Sequence, residues 1–94
     1  MATVPHIRIA HRWLKDYLPK LSGTAVRVYL ALRMHANGTT GECWPSAKRI
    51  SELTGLSRWQ VYRAIKELSG LDLVTVKSRG KMHSNLYYVN LGDV

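Results

Sequence analysis

The stretch Gly55-Leu56-Ser57-Arg58-Trp59-Gln60-Val61-Tyr62-Arg63-Ala64 leaves few choices for how the chain around it folds. Ser57 and Gln60 stand three apart, the spacing at which a hydroxyl caps the first turn of a helix and the amide reaches back to the cap. Leu56 and Val61 stand at the two positions of a hydrophobic staple around the same turn. Gly55 before them suits a positive φ at the end of a preceding helix. A tight turn entering a well-capped helix is therefore predicted, with the helix running over about residues 57–69. On its wheel Val61, Ala64, Ile65 and Leu68 share one arc and must face a core. Trp59, Arg63 and Lys66 fall opposite, flanked by Tyr62 and Glu67, with Arg58 and Gln60 at the margins of the first turn.

The neighbouring segments supply what that helix would pack against. Trp13, Leu14, Tyr17 and Leu18 recur at helical spacing and predict a short amphipathic helix closed by Pro19. Ser22 is placed to cap a longer helix, stapled by Leu21 and Val26, whose Ala25, Val28, Tyr29, Leu32 and Ala36 line one side. Val26, Leu30 and Met34 form a second apolar strip, with Arg27 and Arg33 outside both. That strip meets either the N-terminal segment or a second copy of the chain. Asn37-Gly38 ends this helix, and residues 39–45 form a loop or short strand. Ser46 caps a helix to about Thr54 with Ile50 and Leu53 inward, and Ser51 leaves room for close approach by the next helix. After Gly70 come two strand-like runs, Leu71–Val76 and Leu86–Leu91, joined by a basic glycine-containing tip, a β-hairpin. The fold class is mainly α with a small β-hairpin (α+β): three helices and a hairpin over residues 21–94, behind a short extension over 1–20.

Charge says what such a scaffold would bind. The 94 residues carry 14 Lys and Arg against 6 Asp and Glu, a net of +8, which draws phosphate-rich partners before contact. Residues 46–85 hold eight basic and three acidic side chains, net +5, whereas 86–94 are net −1. Cys43 is the single cysteine, so no intrachain disulfide or thiolate cluster forms, consistent with a reducing cytoplasm. No apolar run is long enough to cross a bilayer, and Arg8 and Arg12 interrupt any signal-type core. His6, His11, His35 and His83 lack metal-ligand spacing, Cys43 has no adjacent histidine, and the acids are scattered. No metal, no cofactor and no enzymatic activity are expected.

The candidate contacts divide by chemistry. Arg58 and Arg63 present the planar fork that binds guanine O6 and N7 together, worth about 1–3 kcal/mol of discrimination. Lys66 is placed for phosphate, giving affinity without sequence choice. Gln60 could read adenine, but its capping role explains it adequately. Trp59 on a helix surface calls for a partner; its indole can pack on a sugar or thymine methyl. The free N–H groups of the first turn add a weak anion site near Ser57. Lys77, Arg79 and Lys81 alternate along the hairpin tip over 77–85, a basic wing suited to the backbone or a narrow minor groove. A second reading makes the Trp59 and Tyr62 face an anchor for a partner protein.

Three helices, the last two joined by a tight glycine turn, and a basic hairpin: the chain resembles a winged helix-turn-helix domain. More narrowly, Leu21-Ser22-Gly23-Thr24-Ala25, Gly41-Glu42-Cys43-Trp44-Pro45-Ser46 and Gly55-Leu56-Ser57-Arg58 resemble the modules of plasmid and phage replication initiators and related bacterial regulators. The resemblance covers roughly residues 20–90. It implies that the helix after Ser57 enters the major groove of double-stranded DNA with the hairpin beside it. It also puts Ser46, Lys48 and Arg58 at backbone-contacting positions. Trp59 departs from the pattern, since relatives commonly carry a small hydroxyl residue there; either the site is read differently or the indole turns toward protein. Ser51 stands where alanine is common. The implied role is that of a small cytoplasmic regulator, origin-binding or partition factor. It would act as a homodimer or higher assembly on DNA, in company with a replication or partition protein and without any attached catalytic domain.

Overall fold

The computed structural model describes residues 7–38, 40–79 and 85–90. Helix α1 spans His11–Tyr17, α2 Gly23–His35, α3 Ala47–Thr54 and α4 Arg58–Gly70; strands β1, β2 and β3 are Glu42–Cys43, Val74–Lys77 and Leu86–Val89. The strands form one antiparallel sheet in the order β1-β3-β2, with Cys43 opposite Tyr87 and Val76 opposite Tyr87 from the other side.

Three serines start three helices in the same way. The side chains of Ser22, Ser46 and Ser57 accept hydrogen bonds from the backbone N–H three residues on, at Ala25, Arg49 and Gln60. Each cap satisfies a donor that the helix itself leaves unpaired, worth about 1 kcal/mol. At Ser57 the box is complete, because Gln60 Oε1 accepts from the Ser57 N–H at 2.9 Å. Gly55 ends α3 in the left-handed region, φ 74°, and its N–H bonds to Ser51 O. Ser51 does more than leave space: its hydroxyl donates to the Leu56 carbonyl and ties the turn across its two ends.

The core draws on all four helices and the sheet. Val28, Tyr29 and Leu32 of α2, Ile50 of α3, Val61, Ala64, Ile65 and Leu68 of α4, and Leu73, Val74, Tyr87 and Val89 around the sheet are all buried. Burial of Val61, Ile65 and Leu68 contributes about 1.5–3 kcal/mol each, which fixes the rotation of α4 and hence its outward face.

Several expectations need correction. Helix α1 ends at Tyr17 with the Leu18 N–H bonded to the Leu14 carbonyl. Pro19, lacking an N–H, stops the α ladder as expected, but the chain runs on as a 3-10 turn, Leu18–Lys20. Only Trp13 of the apolar set on α1 is buried, while Leu14 and Leu18 stay exposed. The N-terminal segment covers the Tyr29 side of α2, not the second strip. Trp13 stacks on Tyr29 at 4.5 Å and 23°, and Arg33 donates to the Arg8 carbonyl. Arg33 is thus 9% exposed, with Nε and Nη1 lacking partners among the described residues. Val26 is half-buried, whereas Leu30 and Met34 remain exposed.

Helix α4 keeps Gly70, and the left-handed residue beyond it is Asp72, φ 58°. The first strand of the hairpin therefore begins at Val74, not Leu71, because Leu71 to Leu73 fold back onto the carbonyls of Leu68 and Ser69. The second ends at Val89; Leu91 lies outside the described residues. The segment before α3 supplies the third strand, β1. Among the described residues, no helix is long and apolar enough to cross a membrane.

Candidate nucleic-acid interface

Helix α4 buries one arc, Val61, Ala64, Ile65 and Leu68, and exposes the side opposite. The outermost ridge carries Trp59, 65% exposed, with Arg63 and Lys66 beside it. The Arg63 guanidinium sits 4.8 Å from the centroid of the Trp59 ring, one helical turn away, in cation–π contact. Indole and guanidinium are therefore held together and outward, not folded back under the chain.

The two flanks of α4 are tied to different elements. On one, the Glu67 carboxylate grips the start of α2: Oε2 accepts from the Ser22 N–H and Oε1 from the Ser22 hydroxyl, both at 2.9 Å. A negative group at a helix N-terminus is stabilised by the unpaired N–H groups and the macrodipole there. Between α2 and α4 this leaves an open recess lined by Thr24, Trp59, Gln60, Arg63 and Lys66, with Ser22 and Glu67 at its edge. On the other flank stands Tyr62, 56% exposed. Burial pushes the Tyr87 hydroxyl above its ordinary range, its bond with Asn85 pulls it down, and neighbouring Tyr62 and Cys43 push it up again. Sequence reasoning placed Glu67 as a mere neighbour of the outward face. Its role as a clamp depends on how α2 crosses α4, which no local pattern encodes.

The remaining candidates are spread around this ridge. Arg58, Ser57 and Gln60 are exposed in the first turn of α4, the latter two engaged in the capping box. Ser46 and Lys48 are exposed at the start of α3, and Ser46 also serves as its cap. Lys77 ends β2 and Arg79 follows it, both exposed. Lys81, with Gly80 and His83 of the tip, lies outside the described residues. The structure thus brings Trp59, Arg63 and Lys66 together, with Arg58 and Tyr62 adjoining, and sets Lys77 and Arg79 on the sheet side. Cys43 is buried between Tyr87 and the helices, and burial pushes its thiol up to about 11. Among the described residues, no three His, Cys, Asp or Glu side chains gather as metal ligands would.

A family model described as a helix-turn-helix domain matches residues 20–74, more than half of the chain, from the turn before α2 to the start of β2. The chain belongs to this helix-turn-helix family. No curated protein matches it. Helices α3 and α4, joined through Gly55, are the two members of the helix-turn-helix, and in such domains the second lies in the DNA major groove. The α+β arrangement, with β2 and β3 following the helix-turn-helix and β1 preceding it in one small antiparallel sheet, fits a winged form of the domain.

Proposed function

We propose that this helix-turn-helix chain binds duplex DNA sequence-selectively, with α4 in the major groove and the β2–β3 hairpin as a basic wing along the adjacent backbone. The observation that carries the reading is the paired exposure of Trp59 and Arg63 on the face of α4 opposite its buried arc. Arg63 and Arg58 read base edges, preferring guanine; Lys66, Lys48, Lys77 and Arg79 meet phosphates; Ser46 and Ser57 offer helix N-termini to the backbone. Trp59 packs against sugar or a thymine methyl.

One such helix reads few base pairs, so the chain works as a homodimer or higher assembly on DNA. The exposed Leu30 and Met34 on α2 are available for a second copy. Within this reading the protein is a small bacterial regulator, origin-binding or partition factor, acting in the cytoplasm by occupying DNA and not by catalysis.

Enrichment of bound sequences from a random duplex pool tests the reading directly. A palindromic winner is expected; enrichment of nothing would remove it. Salt gives an independent check. Neutralising about five phosphates makes log affinity fall against log salt with a slope near −4.5. A protein partner anchored by Trp59 and Tyr62 would give a much flatter line.

A further inference from the structure

Trp44 is the second tryptophan that the fold leaves in solvent, at 56% exposure. It follows β1 directly, and strand alternation sends it out where Cys43 goes in. Pro45 behind it favours an extended Trp44 backbone, and Ser46, the cap of α3, comes next. Cys43 pairs with Tyr87, so Trp44 stands at the end of the sheet from which the hairpin tip departs. There the Arg79 guanidinium lies 6.0 Å from the centroid of the Trp44 ring. Trp44 also borders a shallow recess shared with His35, Cys43 and Pro45. It lies outside the buried core, and the α4 ridge does not include it.

We propose that Trp44 and Arg79 form a second DNA contact, gripping the sugar–phosphate strand that flanks the segment read by α4. This rests on the reading that α4 docks on duplex DNA. The indole packs on a deoxyribose while the guanidinium stacked over it meets the neighbouring phosphate. The local chemistry favours a polyanion over an apolar partner: the ring already carries a cation, Lys77 precedes Arg79 by two residues, and Lys48 is exposed in the first turn of α3. The arrangement repeats that of Trp59 and Arg63, an exposed indole with a guanidinium over it, here before α3 and not on α4. The contact reads no base. It lengthens the footprint and fixes which side of the site the wing occupies.

The experiment compares duplexes carrying the enriched site with full flanks against duplexes trimmed by about half a helical turn on one side. Wild-type protein should lose affinity when the wing-side flank is removed. Trp44→Ala should bind the full duplex about tenfold more weakly and become indifferent to that trimming. Trp44→Glu should lose more, since it sets a carboxylate against phosphate, while both variants keep the wild-type melting temperature. If both variants respond to trimming as the wild type does, the contact is overturned while duplex binding stands. If the wild type binds no duplex at all, the underlying reading falls with it. Loss of binding to an acidic protein, with duplex affinity untouched, would reassign Trp44 to a protein partner and overturn the contact as well.

Discussion

The Arg63 guanidinium lies 4.8 Å over the ring of Trp59, so two exposed side chains of one helix act as a single rigid surface. Arg63→Ala is expected to reduce preference for the selected DNA site, by about 1–3 kcal/mol, more than it reduces nonspecific affinity. Trp59→Ala should lower the same preference by freeing the guanidinium. The double variant should then lose less than the sum of the two. Competition titrations with cognate and scrambled duplexes measure this; equal losses on both duplexes would assign Arg63 to phosphate.

The bond between Glu67 and Ser22 joins the outward helix to the start of α2. Glu67→Ala should lower stability by about 1–2 kcal/mol in urea unfolding, since it strips an acceptor from two donors. Ser22→Ala should lose about 1 kcal/mol as a cap. Combined, they should fall short of additive because each removes part of the same contact.

What could be read before any coordinates follows a physical division. The caps at Ser22, Ser46 and Ser57 and the left-handed Gly55 are decided by a few neighbouring residues, and all stand as expected. The inward arc of α4 follows from periodicity alone. Strand β1 could not be told from a loop, because two residues have no period and pair only through Tyr87 and Tyr88 on a distant segment. Arg33 looked like a surface cation because its burial depends on where Arg8 and Trp13 cross α2. The outward ridge was legible, whereas the clamp on its flank and the cation over Trp44 were not.

Two glycines with nearly equal backbone angles should respond differently to alanine. Gly41 has φ +77° and Gly55 φ +74°, yet a Cβ at Gly41 would meet the Val89 carbonyl oxygen at 2.3 Å, whereas at Gly55 it meets open space. Gly55→Ala is expected to cost about 1–2 kcal/mol from the left-handed backbone alone. Gly41→Ala must also break the close approach in which Gly41 O accepts from the Val89 N–H. Its loss should be clearly larger, and chemical denaturation of both variants compares them.

Cys43 gives the fold a dependence on alkaline pH. Its thiol is pushed from an ordinary value of 9.0 to about 11 by burial. The unfolded chain therefore gives up this proton first. The contribution is complete below about pH 9, declines as pH rises, and is gone above about pH 11. Unfolding free energy measured across that window should fall by about 1–3 kcal/mol. Cys43→Ala should flatten the lower part of the decline, leaving that of the raised Tyr29 and Tyr87 hydroxyls. A profile unchanged by the substitution would remove Cys43 as the source.

The carboxylate that closes the α2 side of the recess does more than join two helices. A strand of phosphates sliding over α4 would meet attraction at Arg63 and Lys66 and then repulsion one step further round, at Glu67. On the docking proposed above, that single acid works as a kerb, keeping the backbone from the gap beside α2 and leaving the sheet side open. In that arrangement, the polarity of the chain on its target is set partly by a group that phosphates avoid.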